Sequence, residues 1–168
     1  YQNGLFRTYD YPPLFNSANL SIRSFVNKGQ EKVIGSRDGL FYINEATGVV
    51  KSFVKPVLTS DLILTICFYQ GEYYIGTYGG GMMVLNPETL SLKYFAQGDT
   101  ELFQKGHIFC VKPDAKGNLW IGTSQGLFSY NGQTKQIKSF TSANSQLPEG
   151  NVYEVSFDST GKGWIATE

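Results

Sequence analysis

The 168-residue chain is poor in the groups that usually announce chemistry: one histidine, two cysteines and two methionines. The single histidine, His107, has no paired carboxylate and no Ser or Cys nucleophile in view, which argues against acid–base or triad catalysis. Two cysteines do not make a disulfide scaffold, and neither has metal-ligand spacing around it. A single bridge between Cys67 and Cys110 is open if their strands align, but the apolar neighbours of Cys67 (Ile66 and Phe68) and of Cys110 (Phe109 and Val111) favour two buried thiols. No stretch approaches the roughly 20 apolar residues that cross a bilayer. No charged start followed by an apolar stretch reads as a signal peptide, so a soluble excerpt is expected, with any targeting or anchoring parts outside it. An excess of charge of either sign is missing too: 14 Lys and Arg balance 14 Asp and Glu. That balance argues against nucleic acid or an anionic membrane surface as the partner.

Aromatic residues and glycine are abundant: 12 Phe, 11 Tyr, 2 Trp and 19 Gly. Aromatics fill wide interfaces between sheets and Gly serves tight turns, so the combination suits many short strands. One phrase recurs four times, as Val33-Ile34-Gly35-Ser36, Tyr74-Ile75-Gly76-Thr77, Trp120-Ile121-Gly122-Thr123 and Trp164-Ile165-Ala166-Thr167. The steps between third residues are 41, 46 and 44, a period that predicts the blades of a β-propeller.

The third repeat lays out the plan. Strands are expected over Ile108 to Lys112, Asn118 to Thr123, Leu127 to Asn131 and Gln136 to Phe140, separated by Gly- and Asp-containing turns. Four strands in an antiparallel meander and one longer crossing make a blade. The outer strands share a Lys (Lys51, Lys93, Lys138) that suits an exposed edge. No helical periodicity of any length is present, and the expected fold is all-β. Alternation along the strand predicts Trp120 against one neighbouring blade and Ile121 against the other, with Gly122 giving room where blades crowd.

The repeats run over about 20–55, 62–96, 106–141 and 151–168, the last completed by 1–10, in a single propeller segment of about four blades. That completion rests on Asn3-Gly4-Leu5-Phe6, which matches the turn and third strand at Asp38–Phe41 and Gln125–Phe128, and on Arg7-Thr8-Tyr9 as an outer strand. The ends could close a ring of four blades, or a larger ring with a second copy, or belong to a longer array. An excerpt of a larger propeller region is the favoured expectation.

Binding in such a fold falls to loops at one end of the disc: those entering the inner strands and those after the second strands. They carry Tyr11, Arg37, Asp38, Asp61, Tyr78, His107, Gln125 and Glu149, whose aromatic, amide and charged groups suit a sugar. Asp114 and Asp158 occupy matching hairpin turns and read as turn residues. Gly79-Gly80-Gly81 lacks the helix and the Lys-Ser/Thr of a phosphate loop and reads as a hairpin turn. No cofactor and no metal are expected.

The segment Gly117 to Phe128, Gly-Asn-Leu-Trp-Ile-Gly-Thr-Ser-Gln-Gly-Leu-Phe, closely resembles the two-component regulator propeller repeat. Gly163 to Glu168 resembles the same core with Ala166 in place of Gly, and Val33 and Tyr74 stand where that repeat has Trp. The resemblance implies a periplasmic, extracytoplasmic sensor region of a hybrid two-component protein of Bacteroides type, detecting an oligosaccharide and regulating a linked histidine kinase. It implies partners within other blades of the parent chain or a second copy. The repeat motif is structural and transfers no binding residues. Two alternatives stand beside it: a protein-interaction or assembly propeller, and a propeller lyase or glycosidase.

Overall fold

A computed structural model describes residues 21–95 and 100–168. Tyr11 and the expectation that residues 1–10 complete the last blade lie outside the described residues. Blade 1 comprises β1 (Ile22–Lys28), β2 (Glu31–Ser36), β3 (Gly39–Asn44) and β4 (Val49–Phe53). Blade 2 comprises β5 (Ile63–Tyr69), β6 (Glu72–Thr77), β7 (Met82–Leu85) and β8 (Leu92–Tyr94). Blade 3 comprises β9 (Ile108–Pro113), β10 (Asn118–Thr123), β11 (Gly126–Asn131) and β12 (Gln136–Phe140), and blade 4 has β13 (Val152–Phe157) and β14 (Gly163–Thr167). Each sheet is an antiparallel meander in chain order. The all-β propeller architecture expected from the period is what the chain adopts. One element departs from it: α1 (Thr100–Lys105), a six-residue helix between blades 2 and 3. Six residues are under two turns, too few to write a 3.6-residue period into the sequence.

The blades stack face to face, and three apolar clusters are the three interfaces. Between blades 1 and 2 lie Val33, Leu40 and Tyr42 against Ile63, Tyr73, Ile75 and Met83. Between blades 2 and 3, Tyr74, Met82 and Val84 meet Ile108, Ile121, Phe128 and Tyr130, with Leu102 and Phe103 of α1 buried among them. Between blades 3 and 4, Cys110 and Leu127 meet Val152 and Val155, with Trp120, Phe140 and Phe157 packed alongside. The parity of the repeated phrase follows. Val33, Tyr74 and Trp120 face the next blade, while Ile75 and Ile121 face the preceding one. Trp120 stacks on Phe140 at 5.5 Å and meets Phe157 at 5.9 Å. On blade 4 the corresponding Trp164 and Ile165 are 59% and 41% exposed.

The third residue of the phrase is small because the next blade enters there. A Cβ on Gly76 would lie 2.7 Å from Ile108 Cγ2, and one on Gly122 would lie 2.5 Å from the Val152 carbonyl oxygen; Ile63 stands over Gly35 in the same way. The first residue of each inner strand thus seats over the glycine of the preceding blade.

The fourth residue makes the second hairpin. Ser36 Oγ, Thr77 Oγ1 and Thr123 Oγ1 each donate to the carbonyl of a turn glycine (Gly39, Gly81 and Gly126) and accept a backbone N–H from the turn. Those glycines have φ of +129°, +70° and +111°, a region L side chains avoid. The third hairpin is capped by Asn44, Asn86 and Asn131, whose Oδ1 each accepts two backbone N–H bonds two and three residues on. The glycine triplet is a hairpin turn wedged between two elements. A Cβ on Gly80 would meet Thr59 and Ser60, and one on Gly81 would run into the Phe103 carbonyl.

The first hairpin comes in two forms, and they explain where Trp is used. Blade 2 turns in two residues, Gln70 and Gly71, both at positive φ. Blade 3 turns through Asp114, whose Oδ1 accepts Lys116 N and Asn118 N while Oδ2 accepts Asn118 Nδ2 and Trp120 Nε1, each within 2.9 Å. Blade 4 repeats the turn with Asp158, six residues before Trp164 as Asp114 is six before Trp120. Both aspartates serve as turn residues, as their positions suggest.

Burial alone would push the Asp114 carboxyl up, but the bonds from Asn118, Trp120 and the backbone outweigh it and hold the group below its ordinary value. A carboxyl depressed in the folded state stabilises the fold above its unfolded value of about 3.9, and that stability is lost as pH falls through the folded value. Asp114→Asn is therefore expected to cost about 1–2 kcal/mol at pH 7. Its deficit against the wild type should shrink between pH 5 and pH 2 in urea unfolding; a deficit constant with pH would remove the charge from the account.

Candidate functional site

The innermost strands β1, β5, β9 and β13 contact one another in sequence around the axis. Each carries a bulge at its second residue. Ile22 pairs Ser36 and Ser24 pairs Gly35, leaving Arg23 unopposed. Ile63 pairs Thr77 and Thr65 pairs Gly76, leaving Leu64. The same shift leaves Phe109 between Ile108 and Cys110, and Tyr153 between Val152 and Glu154. An extra residue breaks the alternation of a strand and re-aims its side chain, and such bulges are frequent beside functional sites. Four blades thus present one re-aimed residue each at the same level.

The loops at this end are tied together by a repeated bond. The residue after the Ser or Thr of the second strand donates its N–H to the residue preceding the inner strand: Arg37 to Ser21, Tyr78 to Leu62, and Ser124 to His107, all within 3.2 Å. The second-turn loops and the inner-strand entries therefore share one end of the stack. Tyr78 and His107, from neighbouring blades, are brought together with ring centroids 4.0 Å apart. His107 continues to Phe109 at 6.1 Å, and Phe109 to Tyr153 at 5.0 Å. The Tyr153 hydroxyl donates to Glu168 Oε1 and accepts Asn151 Nδ2, both at 2.9 Å. Tyr78 is 51% exposed and Tyr153 40%. His107 is half-buried, and its Nδ1 is buried without a hydrogen-bond partner.

The other candidates from the sequence are spread out. Arg37 and Asp38 sit exposed in the β2–β3 turn, Gln125 in the β10–β11 turn, and Glu149 in the loop before β13. Asp61 is occupied structurally: its Oδ1 accepts Lys55 N at 2.7 Å and closes the loop between blades 1 and 2. Sequence reasoning missed Phe109, Tyr153, Asn151 and Glu168. Two aromatic residues at the second position of successive inner strands were the available signal.

Away from this end, Glu31 bridges blades 1 and 2, accepting the hydroxyls of Tyr42 at 2.6 Å and Tyr73 at 2.7 Å. Burial, then the Glu31 contact, pushes both phenols up, so they keep their protons. Cys67 and Cys110 are buried free thiols, each pushed up to about 11 by burial and so unreactive at neutral pH. Among the described residues no group of three or more His, Cys, Asp or Glu is placed to hold a metal ion, and no helix is long and apolar enough to cross a membrane. A groove of about 350 Å³ lies between blade 3 and β14, lined by Trp120, Leu127, Val155, Phe157 and Ile165 among others. It flanks β14, which among the described residues pairs only with β13.

Stacked four-stranded meanders around shared inner strands define a β-propeller segment. Within it, residues 103–125 match the family described as two component regulator propeller. The chain is similar in structure to the extracellular domain of BT3049 from B. thetaiotaomicron, described as a hybrid two component system (28% identity, TM-score 0.65, 92% of this chain and 20% of that one). It is also similar to the extracellular domain of BT4673 from the same organism (20% identity, TM-score 0.72, covering 88% and 20%). A third similar structure is PorZ of Porphyromonas gingivalis, a surface component of the type-IX secretion system (16% identity, TM-score 0.70, covering 95% and 26%). The chain spans about a fifth of the length of the two B. thetaiotaomicron domains. A comparison with curated proteins finds no match.

Proposed function

We propose that this segment belongs to the extracytoplasmic, periplasmic sensor of a hybrid two-component system, where it helps recognise an oligosaccharide and biases a linked histidine kinase. The observation that carries the reading is the two component regulator propeller repeat at 103–125, supported by likeness to the BT3049 domain over 92% of this chain. The tied loop end supplies the kind of surface a sensor needs, with half-exposed rings and polar groups on a rigid scaffold. Ligand that binds only the folded state must stabilise it, by about 2.7 kcal/mol at 100 times Kd. A thermal-shift panel of oligosaccharides is therefore expected to raise the melting temperature with at least one glycan series. A flat response across the panel would remove the oligosaccharide from the reading.

A second reading is favoured by one observation. The outward face of blade 4 leaves Trp164 59% exposed. A propeller that works by assembly would bury that face against protein, and sedimentation velocity would show concentration-dependent association without any glycan response.

A further inference from the structure

The sensor reading names a ligand class but no binding residues, and the row of rings at the loop end supplies them. We propose that Tyr78 and Tyr153, the exposed ends of a row of rings filled in by His107 and Phe109, are a platform, each stacking on a pyranose ring of a neutral oligosaccharide, an inference that rests on the sensor reading.

Three features carry it. First, Phe109 and Tyr153 are the bulge residues of adjacent inner strands, so the fold breaks its own alternation to turn these two rings away from the blade interfaces. Aromatic residues elsewhere in the blades, such as Tyr73, Tyr74 and Phe103, are buried in those interfaces. Second, the four rings run in unbroken order across three blades, with centroid steps of 4.0, 6.1 and 5.0 Å. Half-exposed Tyr78 and Tyr153 stand at its two ends. Sugar rings present apolar C–H faces that match such flat surfaces, while their edges require hydrogen bonds. Third, the edges are served. Asn151 and Glu168 hold the Tyr153 hydroxyl in place, and Glu168 keeps a second carboxylate oxygen for sugar hydroxyls.

Charge selects within the class. The carboxylate at the Tyr153 end disfavours uronic and sulfated sugars by like-charge repulsion, which points to neutral glycans.

The test titrates the chain with neutral cello-, xylo-, malto-, manno- and galacto-oligosaccharides of two to six units, and with oligogalacturonate as the anionic arm. Isothermal calorimetry is run on the wild type, Tyr78→Ala, Tyr153→Ala, Tyr153→Phe and Trp164→Ala. Both tyrosines are half exposed, so their truncation leaves the blade interfaces intact, which a melting curve checks. The expected result is binding of one neutral series, weakened at least tenfold in Tyr78→Ala and Tyr153→Ala. Tyr153→Phe should hold most of the affinity and Trp164→Ala all of it. Binding that is unchanged in both tyrosine-to-alanine variants overturns the platform while leaving the sensor reading standing. Binding confined to oligogalacturonate overturns the neutral assignment. No binding to any glycan overturns the platform and the oligosaccharide cue together.

Discussion

Replacing Gly76 with valine is expected to cost this protein about 3 kcal/mol or more, the upper part of the range for overpacking. A Cβ at this position would lie 2.6 Å from Thr65 Cγ2 within its own blade and 2.7 Å from Ile108 Cγ2 of the next. Both neighbours are β-branched, stiff at χ1 and set at the start of inner strands, so neither can swing aside. The backbone there lies outside the positive-φ positions, so the cost is one of space rather than of conformation. For a domain of this size, 3 kcal/mol corresponds to a fall of about 6–12 °C in melting temperature. The reverse exchange at the matching place in blade 4, Ala166→Gly, should cost no more than about 1 kcal/mol, because Ala166 is exposed. Equal melting temperatures for the wild type and Gly76→Val would mean that successive inner strands do not meet across this residue.

Phe103→Ala should cost a further class of energy, about 3–5 kcal/mol, typical of a large aromatic removed from a packed core. Phe103 is fully buried, with its ring 5.1 Å from Phe95 and 5.4 Å from Phe128. Its own backbone closes over the glycine triplet turn, since Gly81 donates its N–H to Gly106 and leaves no room for a side chain below Phe103. The short helix is therefore part of the interface between blades 2 and 3, and its loss should unfold that interface. Gln104→Ala, one residue along and exposed, should change stability by less than about 0.5 kcal/mol. Urea midpoints of the two variants check the contrast, and similar midpoints would reduce α1 to a surface decoration.

The residues that define the blades were legible because they repeat. Trp120 and Ile121 point to opposite neighbours through strand alternation alone, and Gly39, Gly81 and Gly126 mark hairpins through their φ. Cys67 and Cys110 declared their burial through apolar neighbours. Gly76 and Gly122 were readable as making room, though not for which residue; that needed the seating of Ile108 and Val152.

The candidate site was less legible, for physical reasons. A bulge changes register without changing composition, so Arg23, Leu64, Phe109 and Tyr153 look like ordinary strand residues until both partners are placed. The contact of Tyr78 with His107 joins residues from different blades, and loop polarity gives no hint of it. Asp61 resembled a ligand-facing acid, yet its carboxylate is taken by Lys55 N. A helix of six residues left no periodic trace, and its two buried residues, Leu102 and Phe103, read as part of a loop.

A crystal structure of the chain is expected to show β5–β8 and β9–β12 as separate sheets packed face to face, with Phe109 and Tyr153 unopposed in their strands and their rings in contact at the loop end. Trp120 and Trp164 in one continuous sheet, or Phe109 and Tyr153 paired in register and buried between blades, would contradict that arrangement.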